Sequence, residues 1–378
     1  MTFSFFDVLI LIGALGFFIY GMKIMSDGIQ KAAGGSLQKI LSSMTRNRFL
    51  GIITGFLITC LVQSSSATTV MVVSFANAGL INLVESIAVI MGANIGTTLT
   101  AWLVTIFGFK VDITAFTLPI IAVGFPLMFT NKDSLKALSE VLIGFALLFM
   151  GLGALKDAVP DLAGNPEVLE FLGEWSNYGV ASTILFVIVG TIVTLVVQSS
   201  SAAMALTLTL LYSKIIPFEV AAAMVLGENI GTTITANIAA MVANVHAKRA
   251  ARAHLIFNMI GVIWMIAFFP VAIDLIKNLW DPFQRWIPGL AGTEQEIELS
   301  IFHTLFNVIN TLLLVWFVTP ISKLVTKMVP SRTEDDEEYS LAYIGSGMML
   351  TTEASLLEVR KELMEAIERK YEGVISNQ

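Results

Sequence analysis

The string Gln63-Ser64-Ser65-Ser66-Ala67 recurs as Gln198-Ser199-Ser200-Ser201-Ala202, and each copy is embedded in apolar sequence. Serine is a favoured helix N-cap, and its hydroxyl also donates to an oxyanion. A helix N-terminus presents unpaired backbone N–H groups and about half a positive charge. Two such ends facing one another would bind an anion without a fixed cation. A helix end contributes only about 0.3–1 kcal/mol, or about 2 when partly buried, and desolvating an unpaired ion costs far more. A divalent oxyanion held this way in a bilayer therefore needs compensating cations, which points to coupling with Na+ or H+.

A second pair of strings supplies the cation chemistry. Gly92–Thr98 reads GANIGTT and Gly227–Thr233 reads GENIGTT. Here glycines would let the chain unwind within a span and free backbone carbonyls. Asn94, Thr97, Thr98, Asn229, Thr232 and Thr233 add neutral oxygens, and Gln63 and Gln198 add two more. Such a set suits a hard cation such as Na+ and not a transition metal. The bland alternative is that these side chains only join neighbouring helices. The copies differ where Ala93 becomes Glu228, and a carboxylate at that depth is a functional candidate. It would balance a cation or, ionised, accept the P–OH hydrogen bond of HPO4 2−, a proton that sulfate lacks. His254 and His303 lie in the related strings HLIFN and HTLFN; a proton relay is one reading, and a structural role at helix contacts is the favoured one.

Positioning these groups requires a membrane architecture. The chain has 378 residues, 56% hydrophobic and 13% charged, with a mean hydropathy of +0.80. Soluble domains carry roughly 25% charged residues, so the expectation is an all-α polytopic membrane protein. Full spans are expected near 5–22, 82–108, 113–130, 137–155, 217–243, 253–276 and 300–322. The first reads as a retained span, not a cleaved signal peptide. The segment 49–79 would be about 46 Å long as one helix, too long for a single span. A re-entrant hairpin breaking at QSSSA is expected there, and a second over 180–214. Irregular backbone at that depth is tolerated only inside the bundle.

Residues 63–101 align without a gap on 198–236, so equivalent positions lie 135 apart. Upstream, 16–29 echoes 146–159, pairing Asp27 with Asp157. The loop before the first QSSSA carries Lys23, Lys31, Lys39, Arg46 and Arg48 against Asp27. Its counterpart carries Asp157, Asp161, Glu167, Glu170 and Glu174, with Lys156 at its edge. Basic loops favour the cytoplasm, so the equivalent loops face opposite sides. Lys248, Arg249, Arg252, Lys323, Lys327 and Arg332 then also fall in the cytoplasm. The expectation is an inverted-topology repeat with broken helices, a plan recurrent in secondary transporters that hold substrate near the midplane. The chain divides as repeat 1 over 1–135, repeat 2 with final helices over 136–328, and a charged linker with an amphipathic helix (352–371) over 329–378. That helix would dock on the membrane domain, a second copy or a cytosolic partner, with the C-terminus cytoplasmic. Trp264, Trp280, Trp286 and Trp316 suit interfacial belts.

The single Cys60 excludes an internal disulfide. The net charge of −7 and the lack of a basic cluster argue against nucleic acid. No G-x-S-x-G elbow supports a serine hydrolase, so no catalytic residue or organic cofactor is expected.

The paired QSSS and NIGTT strings resemble those of the type II sodium–phosphate cotransporter family, over roughly residues 5–325. What the resemblance implies is Na+-driven symport of inorganic phosphate by alternating access across a bacterial plasma membrane. Gln63, Ser64, Ser65, Ser66, Gln198, Ser199, Ser200 and Ser201 would contact phosphate. Gln63, Ser65, Asn94, Thr97, Thr98, Gln198, Ser200, Glu228, Asn229, Thr232 and Thr233 would serve Na+. AHLIFN (253–258) resembles the family's string after the second repeat, whereas TAFTLPIIAVGF (114–125) departs from its string after the first. Rival readings are a transporter of another oxyanion or a carboxylate, proton-coupled or not, and a phosphate sensor or scaffold signalling through its tail.

Overall fold

The computed structural model describes residues 5–33, 47–77, 80–111, 113–159, 179–286 and 294–331, with 279–286 in backbone only. The expected amphipathic helix 352–371, the acidic loop 161–174, Lys39, Arg46 and Arg332 lie outside them, as do the side chains of Trp280 and Trp286. Every element among the described residues is helical. Among the described residues six helices, including Phe5–Ala33, Leu83–Lys110 and Asp133–Ala158, are long and apolar enough to cross a membrane. The chain is an all-α polytopic membrane protein.

Helix α1 (Phe5–Ala33) is followed by α2 (Arg48–Val62) and α3 (Ser65–Asn77), then by α4 (Leu83–Leu103). The last runs on as a π-helical turn, Val104–Lys110, before α5 (Thr117–Leu127) and α6 (Asp133–Ala158). Then come α7 (Val180–Val197), α8 (Ser200–Tyr212), α9 (Phe218–Ala239) and α10 (Val245–Ala267). The chain closes with α11 (Phe269–Trp286), α12 (Glu294–Leu314) and α13 (Val318–Met328).

The two QSSSA strings are helix breaks. Gln63 (φ 53°) and Gln198 (φ 59°) both take the left-handed conformation, which is uncommon for a residue with a Cβ, and each ends its helix. The chain then turns back. Thr59 Oγ1 donates to Thr68 Oγ1 at 3.0 Å, whereas nine residues of straight helix would separate them by about 13 Å. In the second hairpin the partner of Thr194 would fall at position 203, where alanine stands, and Thr194 Oγ1 is buried with no partner among the described residues.

Each hairpin packs on the following helix through the same two close glycine approaches. A Cβ on Gly55 would overlap Val89 O, and one on Gly92 would overlap Ile52 O. The equivalents Gly190 and Gly227 meet Met224 O and Val187 O in the same way. Small residues let helices approach this closely in lipid. The glycines of GANIGTT and GENIGTT therefore do not unwind their spans. Helices α4 and α9 continue through them, which corrects the expectation of freed carbonyls there. The pair α1 and α6 is antiparallel: a Cβ on Gly21 would meet Leu148 N, and one on Gly151 would meet Phe18 N. Under the alignment of 16–29 on 146–159 these two contacts are the same contact with the partners exchanged.

The expected span 253–276 is interrupted. Helix α10 ends at Ala267 and α11 restarts at Phe269, because the residue before a proline resists the α conformation and Pro270 is tolerated only in a first turn. The Trp264 indole donates to Asn310 Oδ1 at 3.1 Å, pinning α10 to α12. Trp316 is 64% exposed.

Candidate functional site

At each break the first serine works for its own helix. Ser64 Oγ accepts from Ala67 N at 3.2 Å, and Ser199 Oγ accepts from Ala202 N at 3.2 Å. These are N-caps: each hydroxyl oxygen accepts one backbone bond and keeps its O–H to donate. The next serines, Ser65 and Ser200, are the first helical residues of α3 and α8, and both line one cavity.

That cavity is lined by Ser65, Asn94, Thr97, Ser200, Glu228, Asn229, Thr232 and His303. Three pairs, Ser65/Ser200, Asn94/Asn229 and Thr97/Thr232, are equivalent positions of the two copies. Its free space is about 10 Å³, on the order of one water molecule. A small cation fits such a space, whereas a tetrahedral oxyanion requires the walls to part.

The side chains are held by their own helices. Asn94 Nδ2 donates to Ile90 O and Asn229 Nδ2 to Val225 O, both at 2.8 Å. Each amide thereby keeps Oδ1 as its remaining acceptor. Thr97 Oγ1 donates to Ala93 O at 3.2 Å and Thr232 Oγ1 to Glu228 O at 2.9 Å, which leaves their oxygen lone pairs available. The result is a shell of neutral oxygens. Glu228, 3% exposed, takes a 2.7 Å hydrogen bond from Thr207 Oγ1 on its Oε1. An ionised carboxylate in this setting is destabilised by several kcal/mol without a compensating charge, and among the described residues no Lys or Arg lines the cavity. Among the described residues, no group of three His, Cys, Asp or Glu could hold a metal.

The remaining expected site residues stand outside the lining. Gln63 is buried: its Nε2 donates to Cys60 O at 2.6 Å and its Oε1 accepts from Thr100 Oγ1 at 3.3 Å, so it braces the first break. Gln198 is exposed, with Nε2 3.4 Å from Leu195 O. Thr98 and Thr233 donate to Ile95 O and Ile230 O, and Ser66 and Ser201 sit one residue past the cavity serines. His303 is the lining residue that sequence reasoning assigned to structure instead of the site. Helix α12 presents it because Ser300 Oγ meets Thr105 Oγ1 at 2.9 Å and Thr304 Oγ1 accepts from Trp102 Nε1 at 2.9 Å. The only sequence signal was the similarity of HTLFN to HLIFN. His254 is fully buried but does not line the cavity. A larger cavity of about 640 Å³ between the α8–α9 turn and the start of α12 collects Tyr212, Lys214, Glu294 and Glu296 and contains no residue of the QSSSA or NIGTT strings.

The profile of the Na+/Pi-cotransporter family matches residues 17–157 and 170–279. The chain belongs to this family, which is one of transporters and not of enzymes. YjbB of Escherichia coli K12, named for inorganic phosphate export, is 26% identical over 369 residues, covering 96% of this chain and 64% of that protein. The chain thus spans less than two thirds of that relative. YqeW of Bacillus subtilis 168, an uncharacterized protein, is 28% identical over 321 residues, covering 84% of this chain and 96% of its own. The human sodium-dependent phosphate transport protein 2B is 39% identical over 101 residues, 26% of this chain and 15% of that one. No solved structure matches.

Proposed function

We propose that this chain moves inorganic phosphate across a bacterial plasma membrane by sodium-coupled symport. The observation that carries the reading is the cavity in which equivalent serines, asparagines and threonines of both copies meet. The starts of α3 and α8 offer backbone N–H groups and the Ser65 and Ser200 hydroxyls to the oxyanion. The Asn, Thr and Glu228 oxygens hold Na+, whose charge offsets the anion's desolvation. Ser64 and Ser199 fix the helix starts, and Gln63 braces the first. Because the cavity admits about one water, phosphate enters only when the hairpins α2–α3 and α7–α8 separate, which is the movement alternating access requires.

The two copies act as an inverted pair. Supporting this are the exchanged contacts of α1 with α6, a self-complementary arrangement characteristic of a two-fold axis, and the opposite loop charges. The hairpins are re-entrant in this reading, the cavity lies near the midplane, and the C-terminus is cytoplasmic. Each net charge carried inward gains about 2.3 kcal/mol per 100 mV.

Radiolabelled phosphate uptake into proteoliposomes tests this, with Na+ outside or replaced by K+, choline or a proton gradient. Uptake that needs Na+ is expected; flux under a proton gradient alone would overturn the coupling ion. A second reading, phosphate export, is favoured by the name of the E. coli relative that aligns with 96% of this chain. Vesicles loaded with phosphate and reading faster efflux than uptake under matched gradients would favour it.

A further inference from the structure

The cavity is a pseudo-symmetric neutral shell broken at two places. Ser65, Asn94 and Thr97 have their equivalents across the wall, but Glu228 faces from a position where the first copy has Ala93, and His303 comes from α12, outside the aligned segments. These two are the ionisable side chains of the lining. Both are 3% exposed, and His303 Nδ1 is buried with no hydrogen-bond partner among the described residues. An unpaired buried nitrogen is costly, and the ring that carries it borders the cavity. Neutral imidazole has one donor and one acceptor nitrogen, and a carboxylate accepts only. Together they present a donor and an acceptor to whatever enters.

We propose that His303 is a specificity-determining residue of the cargo site, forming with Glu228 a donor–acceptor pair that selects an oxyanion carrying its own proton. His303 donates to an anionic oxygen, and Glu228 accepts the hydroxyl of the same anion. Sulfate has no hydroxyl at neutral pH, so its oxygens would face the Glu228 lone pairs with no hydrogen between them. Sites built to pair a substrate O–H reject analogues lacking it far more strongly than apolar pockets do. The inference rests on the reading that this cavity holds the cargo.

The test is labelled-phosphate uptake into proteoliposomes under a Na+ gradient, with unlabelled sulfate as competitor. It compares wild type, His303→Leu, His303→Gln, Glu228→Gln and, as a control on the cavity, Ser65→Ala with Ser200→Ala. His303→Leu is expected to raise the phosphate KM by roughly tenfold or more, the value of one hydrogen bond to a charged group. The Na+ half-saturation stays within about twofold, because cation contacts are untouched. His303→Gln, which keeps an N–H donor, recovers most of the loss, and Glu228→Gln lets sulfate compete. A KM unchanged in His303→Leu, or a Na+ half-saturation that moves as far as the KM, overturns the proposal. If His303→Leu does not elute as a folded protein, the glutamine variants decide: Glu228→Gln excluding sulfate as wild type does is equally fatal. A serine control that transports normally removes the cavity reading itself, and wild-type vesicles without phosphate flux remove the proposed function.

Discussion

Thr59 and Thr194 occupy equivalent places in the two hairpins, and the same substitution at each should move stability in opposite directions. Both are 1% exposed, and both press against the glycine of the crossing helix in the same way: a Cβ on Gly96 or Gly231 would lie 2.6 Å from Cβ of Thr59 or Thr194. Valine conserves the shape, so whatever packing cost it brings is shared and cancels in the comparison. What remains is the hydroxyl. Thr59→Val removes a 3.0 Å bond to Thr68, worth about 1 kcal/mol net. Thr194→Val removes a hydroxyl that is buried with no partner among the described residues, relieving about 1–3 kcal/mol. The two variants should therefore separate by about 2 kcal/mol or more, some 3 °C in apparent melting temperature for a chain of this size. Tryptophan fluorescence during heating in detergent at one fixed scan rate reads the order directly. If Thr194→Val is destabilised as much as Thr59→Val, the asymmetry of the two hairpins is wrong.

Gly92→Ala and Gly227→Ala should each force α4 from α2 or α9 from α7, since the new Cβ overlaps a backbone carbonyl. A loss of about 1–3 kcal/mol in melting experiments with a parallel loss of uptake is expected, and an unaffected variant contradicts the close crossing. Lys277→Met should change stability by less than about 1 kcal/mol, because its 2.7 Å pair with Glu219 is about half exposed on both sides and screened by solvent. The hydrogen bond that Lys277 donates to Glu219 raises the Lys277 pKa. Its contribution is therefore fully present below the ordinary lysine value near 10.4 and lost as pH climbs through the raised one. Melting temperatures of wild type and Lys277→Met should keep a constant offset from pH 6 to 9; an offset that shrinks within that window refutes the assignment.

The breaks at Gln63 and Gln198 were legible in the sequence, because a run of hydroxyls in a segment too long to span leaves few alternatives. The fixed spacing of 135 residues also paired Asn94 with Asn229 and Thr97 with Thr232 as equivalents, and all four line one cavity. The glycines were misread. Local propensity allows glycine to unwind a helix, but only the packing partner shows that Gly92 and Gly227 are there to admit a carbonyl from another helix. The break at Phe268 had a signal in Pro270, masked by apolar residues on both sides. His303 could not be placed from sequence, since its position depends on how α12 leans on α4 through Trp102 and Thr105. The caps at Ser64 and Ser199 explain why the middle serine, and not the first, reaches the cavity.

The central claim is that both copies build one site. Sodium-driven phosphate uptake of Ser65→Ala, Ser200→Ala and the double variant tests it most directly, in proteoliposomes with matched protein. If one anion is held between two helix starts, each single change should depress uptake to a similar degree and the double should be little worse, the non-additivity expected of groups sharing one partner. Full uptake with either serine replaced would mean that the two strings do not meet at the cargo.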